Sequence, residues 1–230
     1  MPAPLSVIIP TLNAAPKVAG LLADLMRGVA TGLVREVIVS DGGSSDDIEE
    51  LSEAVGAEFL SGPAGRGGQL ARGVAAARGE WVLVLHADSE LPEGWSNIVQ
   101  AAMADPAHAH VFRLKFRERG AAARIVAGWA NLRTWLFRLP YGDQGMLISR
   151  ALYAEIGGYP DIPLMEDVAL ARALKGRFDV LPAVLTTSAE RYRSEGWLRR
   201  GGHNLLTLIR YLAGADPERL ARGYTQSRQS

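Results

Sequence analysis

Short apolar runs and longer amphipathic stretches alternate through the first half of the chain. Leu5-Ser-Val-Ile-Ile9 predicts a buried strand, stopped by Pro10. From Pro16 to about Gly32, apolar residues fall at Val18, Leu21, Leu22, Leu25, Met26 and Val29, which is helical spacing. Glu36–Ser40 predicts a second strand. It runs into the turn-rich Asp41-Gly-Gly-Ser-Ser-Asp46, where Ser45 or Asp46 suits the cap of a helix over roughly 46–55. A short strand is expected at Ala57–Ser61, then a helix over Gly65–Arg78 entered through glycines. Trp81–Leu85 is the most hydrophobic strand and is expected at the centre. A helix over Pro92–Ala104 would carry its proline in the first turn.

This alternation predicts an α/β fold with a mostly parallel central sheet and helices on both faces. Ligands of such sheets bind beyond the carboxyl ends of the strands. Three polar clusters fall at those ends: Thr11 with Asn13, Asp41 to Asp46, and His86 with Asp88. The second half is less regular. Val111–Arg117 alternates like a strand with one basic face. Ala121–Leu139 reads as a helix with Ile125, Trp129, Leu132 and Leu136 on one stripe. Strands are expected at Gly145–Ser149 and Asp179–Leu185, and a helix at Glu166–Lys175. Trp197–Leu212 and Glu218–Tyr224 read as terminal helices, followed by a polar tail expected to fray.

With 230 residues, 48% hydrophobic and 22% charged, the chain suits one domain over residues 1–230. The formal net charge is zero, which argues against a nucleic-acid partner. The zero conceals a division. Residues 1–110 hold 14 acidic and 6 basic side chains, and residues 111–230 hold 11 acidic and 19 basic. The basic excess lies in 111–138 and 191–230, with a net acidic stretch between them. An acidic half can hold a cation, and a basic half can face phosphates or an anionic membrane; ordinary solvated surface accounts for both equally well. The absence of cysteine removes disulfides and thiolate chemistry and fits a reducing compartment. No apolar run approaches the length of about 20 residues that a spanning helix needs, and no secretory signal is visible. A cytoplasmic protein is expected, with contact at the inner face of the membrane as an addition. Trp129, Trp135 and Phe137 are read as core or cleft packing, with an anionic surface as the other reading.

Individual motifs leave choices open. The carboxylates of Asp41–Asp46 suit a ribose or a base N–H, and equally a strand-to-helix turn. His86 with Asp88 can hold a divalent cation, or form a polar loop. Gly65-Arg-Gly-Gly-Gln69 only loosely resembles a phosphate cradle, although Arg66 can pair with an anion. Glu166-Asp167 suits a general base or a helix-dipole charge. Arg191, Arg193, Trp197 and His203 belong to a basic, aromatic segment. That segment suits an anionic ligand or a solvated helix face, and His203 suits a metal or plain polar surface.

Taken in order, these elements resemble the family 2 glycosyltransferases. Val7-Ile-Ile-Pro-Thr-Leu-Asn13, Val37-Ile-Val-Ser-Asp41-Gly-Gly-Ser-Ser-Asp46, Gly65–Gln69, Leu83-Val-Leu-His-Ala-Asp88 and Met165-Glu166-Asp167 each fall where that family has a motif. Tyr141–Gly145 and Asp216–Leu220 are similar to those of a compact, soluble bacterial subgroup. The resemblance implies a GT-A (Rossmann-like) fold with C-terminal helices, a nucleotide-sugar donor with UDP as the default, a divalent cation (Mn2+ or Mg2+) and inversion at the anomeric carbon. It divides the chain into a nucleotide-sugar half, 1–110, and an acceptor-binding and catalytic half, 111–230. It implies Pro10, Thr11, Asn13 and Asp41 at the nucleoside, with Arg66 and Gln69 beside them, and Asp88 at the metal and diphosphate. It implies Asp167 as base with Glu166 adjacent, and Asp143 and Gln144 near the sugar or acceptor. Arg66, Arg191 and Arg193 are candidates for the leaving diphosphate, and the acceptor is a small molecule or a lipid-linked group. His86 replaces the first Asp of the D-x-D pair, and imidazole suits Mn2+ better than Mg2+. The Q-x-x-R-W motif of processive members is absent. A sugar nucleotidyltransferase is disfavoured because Pro10–Asn13 stands where G-G-x-G-x-R would be. A non-catalytic nucleotide-sugar-binding protein is favoured by His86 alone.

Overall fold

The computed structural model describes residues 3–226, so the end of the polar tail lies outside the described residues. The strands are β1 (Leu5–Thr11), β2 (Val34–Asp41), β3 (Glu58–Ser61), β4 (Trp81–Val84), β5 (Ala109–Phe116), β6 (Met146–Ser149) and β7 (Phe178–Thr187). They form one seven-stranded sheet in the order β3-β2-β1-β4-β6-β5-β7. β1 to β4 are parallel, as the alternating pattern predicts. β6 runs antiparallel to both β4 and β5, and β5 is parallel to β7. The carboxyl ends of β1, β2, β4, β5 and β7 therefore share one edge of the sheet.

Helices cover both faces. α1 (Ala15–Ala30), α2 (Ile48–Ala54) and α4 (Trp95–Ala102) pack one face, where Val18, Leu22, Leu25, Trp95 and Val99 meet the inward residues of β1, β2 and β4. α3 (Arg66–Ala76), α6 (Arg150–Glu155) and α7 (Glu166–Ala173) pack the other through Leu70, Val74, Leu152 and Leu170. β1 and β4 are buried on both faces, which explains why their sequences are runs rather than alternations. α5 (Ala121–Phe137) lies against the end of β5. α8 (Glu190–Glu195), α9 (Trp197–Leu212) and α10 (Pro217–Gln226) close the chain.

Two expectations are corrected. The sequence places Ser45 or Asp46 as the cap of the following helix, but Asp47 stands at that position, and Asp46 Oδ2 accepts from the Ala15 amide at 2.8 Å at the start of α1. The stripe Ile125, Trp129, Leu132 and Leu136 of α5 faces solvent. Its buried residues are Arg133 and the small Ala123, Ala127, Ala130 and Thr134, which let the helix approach β5 closely. Asn131 completes that approach, its side-chain amide bonding both the N–H and the C=O of Leu114 at 2.8 and 2.9 Å.

At the amino end of the sheet, buried Glu36 accepts from Ser6 Oγ at 2.6 Å and from the Arg78 amide at 2.7 Å. Burial pushes this carboxyl up, and the hydrogen bonds together with the Arg78 charge outweigh it, so Glu36 sits below the usual 4.5. A carboxylate with a lowered folded pKa stabilises above the unfolded value and loses that contribution as pH falls through the folded value. Glu36→Gln is expected to cost about 1–3 kcal/mol at neutral pH. Urea unfolding should show the gap to the unmutated chain closing below about pH 4.5.

Candidate active site

Beyond the carboxyl ends of β1 and β2, side chains knit two loops together. Asp41, 1% exposed, ends β2. Its Oδ1 accepts from Thr11 Oγ1 at 2.9 Å and Ser44 Oγ at 2.5 Å, and its Oδ2 accepts from the amides of Gly43 and Ser44, both at 2.7 Å. Burial raises the Asp41 carboxyl, and these bonds outweigh it, leaving it below its ordinary value. Asn13 is held at a left-handed φ of 50°. Its amide donates to Ser44 Oγ at 2.7 Å and its Oδ1 accepts from the Ser45 amide at 2.9 Å. Gln69 is buried, and its Nε2 donates to the carbonyls of Thr11 and Ser40 at 2.6 and 2.9 Å, bridging the ends of β1 and β2.

After β4, His86 Nδ1 bonds Asp88 Oδ1, which also accepts from Thr187 Oγ1 at 3.0 Å. Burial raises the Asp88 carboxyl, but His86 and Thr187 more than offset it and bring it down to about 2. An ionised carboxylate can only accept, so the hydrogen in this contact is carried by His86 Nδ1.

The second half supplies the facing wall. Met165, at a φ of 69°, turns the chain into α7. Such a left-handed conformation in a bulky residue is a strained one. It places two carboxylates in succession. Glu166 is 3% exposed and pairs with Arg66 Nε at 3.0 Å. Burial, then the neighbouring Asp167 charge, lift the Glu166 carboxyl to about 7 against the opposing pull of Arg66. Asp167 is half-buried and accepts from the amides of Gly142 and Val168 at 2.8 and 2.7 Å. Asp143 occupies the turn Gly142–Gln144. Its carboxyl is raised by burial, and its buried Oδ1 has no hydrogen-bond partner. Gln144 is buried and holds this turn by accepting from Thr134 Oγ1 at 2.6 Å and donating to the Phe112 carbonyl at 3.2 Å.

The glycines before Gln69 have a packing cause. Arg66-Gly-Gly-Gln69 is the first turn of α3, and a Cβ on Gly67 would lie 2.3 Å from the Pro160 carbonyl oxygen. A Cβ on Gly68 would lie 2.7 Å from Asp161 Oδ1. The residues therefore let the loop at 160–162 sit on the helix end.

A cleft of about 500 Å³ collects Pro10, Thr11, Asn13, Arg66, Gln69, His86, Asp88, Asp143, Glu166, Asp167 and Arg191 from distant parts of the sequence. Asp41 and Gln144 stand behind its wall. Arg193 is an exposed residue of α8, outside the cleft lining. Trp197 also lies outside the lining, in an aromatic cluster with Phe116 and Tyr192, stacked on Tyr192 at 5.2 Å between ring centroids. His203 is on α9 next to the lining residue Asn204, but is not itself among the lining residues. Among the described residues, one group of three side chains has metal-ligating proximity: Asp105, His108 and Asp179. It lies at the amino ends of β5 and β7, the opposite edge of the sheet from the cleft.

Sequence reasoning missed Lys17, Tyr141 and Thr187. Lys17 pairs with Glu190 at 2.6 Å across the cleft lining, and Thr187 meets Asp88 only because β7 ends beside β4's loop. Neither partnership has a local sequence signal. A non-glycine left-handed residue such as Met165 also carries none.

Residues 6–140 match the family model described as glycosyl transferase family 2. A search of curated proteins found no match to this chain. Among solved structures, the chain is similar to glucosyl-3-phosphoglycerate synthase from Mycobacterium tuberculosis in complex with Mn2+ and UDP-glucose. The two are 23% identical with a TM-score of 0.62, covering 93% of this chain and 80% of that one. It is also similar to mannosyl-3-phosphoglycerate synthase from Rubrobacter xylanophilus, at 16% identity and TM-score 0.60, covering 92% of this chain and 75% of that one. At these identities the likeness is one of fold.

The Glu166 carboxyl, raised from 4.5 to about 7, binds a proton more tightly in the folded chain than in the unfolded one. Its contribution to stability is therefore present below the unfolded value and is lost as pH rises through the folded one. Glu166→Gln is expected to flatten the fall in stability between about pH 4.5 and 7, read by urea denaturation across that window.

Proposed function

The chain belongs to glycosyl transferase family 2, and from that premise we propose that its cleft binds a nucleotide sugar and transfers the sugar to an acceptor hydroxyl with inversion. One observation carries this reading. Thr11 and Asn13, His86 and Asp88, and Asp167 line a single cleft at the carboxyl edge of the sheet, although they come from three separate segments of the chain. The nucleoside is taken by the Pro10–Asn13 loop, with Asp41 and Gln69 fixing its shape from behind. UDP is the preferred nucleotide, in keeping with the UDP-glucose complex of the similar mycobacterial enzyme. The first half of the chain, 1–110, thus serves the donor, and the second, 111–230, serves the acceptor and the chemistry.

His86 and Asp88 suit a divalent cation. An ionised carboxylate beside an imidazole is a mixed oxygen and nitrogen set, which favours Mn2+ over Mg2+. A cation held there supplies positive charge to the leaving diphosphate. Arg191 faces the same cleft and adds to that charge. Asp143, with its unpartnered buried Oδ1, accepts a hydroxyl of the sugar or acceptor.

Asp167 is the general base. It faces the cleft, and its two backbone donors fix its direction. The acceptor oxygen bonds to the anomeric carbon as the carbon–oxygen bond to the diphosphate breaks, and Asp167 takes the acceptor proton. Glu166 is a positioning residue, because its carboxylate is spent on Arg66.

The test is incubation with a panel of nucleotide sugars, with Mn2+ or Mg2+, watched for hydrolysis or transfer. Turnover with at least one donor is expected, and its absence with every donor would overturn the reading. Asp167→Asn is expected to cut turnover about 10²–10⁴-fold while leaving donor affinity within a few-fold. Wild-type turnover in that variant would remove Asp167 from the role. In calorimetry, Asp88→Ala is expected to lose the dependence of nucleotide affinity on Mn2+. An unchanged response would place the cation elsewhere.

A further inference from the structure

α5 and α9 pack against each other. Thirteen large apolar side chains are exposed among the described residues, and these two helices carry eleven of them. On α5, Trp135 is 68% and Ile125 70% exposed; on α9, Leu198 is 93% exposed, with Leu206 and Ile209 about half exposed. Both helices are amphipathic in the reverse of the usual sense for a small domain. Their inward faces are Ala123, Ala127 and Ala130 on α5, and Arg200, Thr207 and Leu208 on α9. Contiguous exposed apolar surface of this kind marks a contact with something else.

The charge pattern says what that is. Residues 121–137 and 197–212 contain no Asp or Glu, and their exposed charges are Arg124, Arg199 and Arg210. A two-fold dimer would set this cationic face against its own copy, with no carboxylate to meet the arginines. No described helix is long and apolar enough to cross a membrane. Two exposed tryptophans beside arginines and leucines instead suit the plane between headgroups and acyl chains.

We infer that the α5–α9 face docks the protein on an anionic lipid bilayer, with the apolar residues in the interface and the arginines on the headgroups. The docking is independent of the glycosyl-transfer reading, because it uses residues outside the cleft. It has a geometric consequence for the cleft all the same. Arg200 and Asn204 line it from α9, so docking sets one cleft wall close to the headgroup layer.

The experiment is co-sedimentation of the full chain with vesicles of phosphatidylcholine alone or mixed with phosphatidylglycerol. Binding to the anionic vesicles is expected, roughly hundredfold weaker on the neutral ones, as three surface arginines would give. Tryptophan emission should shift to shorter wavelength on binding. Combining Trp135→Ser, Leu206→Ser and Ile209→Ser should weaken binding at least about tenfold. A separate charge reversal, Arg124→Glu with Arg199→Glu and Arg210→Glu, should abolish the preference for anionic lipid, and it keeps the test decisive if the serine variant fails to fold. No vesicle binding by the unmutated chain would overturn the inference, as would equal binding to both vesicles. A dimer in sedimentation equilibrium that Leu206→Ser dissociates would overturn it too, by giving the face to a second copy.

Discussion

Arg66 and Glu166 meet at 3.0 Å across the junction of the chain's two halves. Arg66 starts α3 in the first half, and Glu166 starts α7 in the second. Glu166 is removed from water, so its charge is tolerated only because a guanidinium lies against it. The surrounding sequence accommodates that pair. Gly67 and Gly68 let the loop at 160–162 reach the end of α3, and a Cβ on Gly142 would lie 2.1 Å from Arg66 Nη2. The Gly142 amide in turn holds Asp167. Thus the side chain that looks like an anion ligand in the sequence is first a strut. It sets the distance between the loops that follow β1 and β2 and the carboxylate facing them.

Much of this was legible from residue order. The alternation of strands and helices through β4 follows from apolar period alone, and the carboxyl-edge position of Thr11, Asn13, His86 and Asp88 follows from the parallel arrangement. What escaped were contacts made by chain reversal. β6 is short and apolar on both faces, and nothing in Met146–Ser149 distinguishes an antiparallel strand from a parallel one. Asp41 illustrates a subtler limit. Its residue type and position suit a ligand contact, yet four donors from Thr11, Gly43 and Ser44 already surround it. Its carboxylate shapes the turn that borders the cleft.

α5 shows how periodicity misleads. A stripe of Ile125, Trp129, Leu132 and Leu136 has the spacing of a core face, and hydrophobic periodicity identifies a face without saying which way it points. The deciding residues were the alanines opposite. Large side chains could not fit where Asn131 must reach the backbone of Leu114. Small residues inward and large ones outward are a pattern that solvent alone does not favour. It stands out only when both sides of the helix are read together.

The hydrogen bond from Thr187 to Asp88 joins residues 99 positions apart. β7 is the last strand in the chain and lies at the edge of the sheet. During synthesis, Asp88 waits for nearly the whole second half before gaining that partner. The cleft is thus a late product of folding, completed by an edge strand that closes a large loop. An arrested or truncated chain that ends before β7 would leave Asp88 without its Thr187 partner.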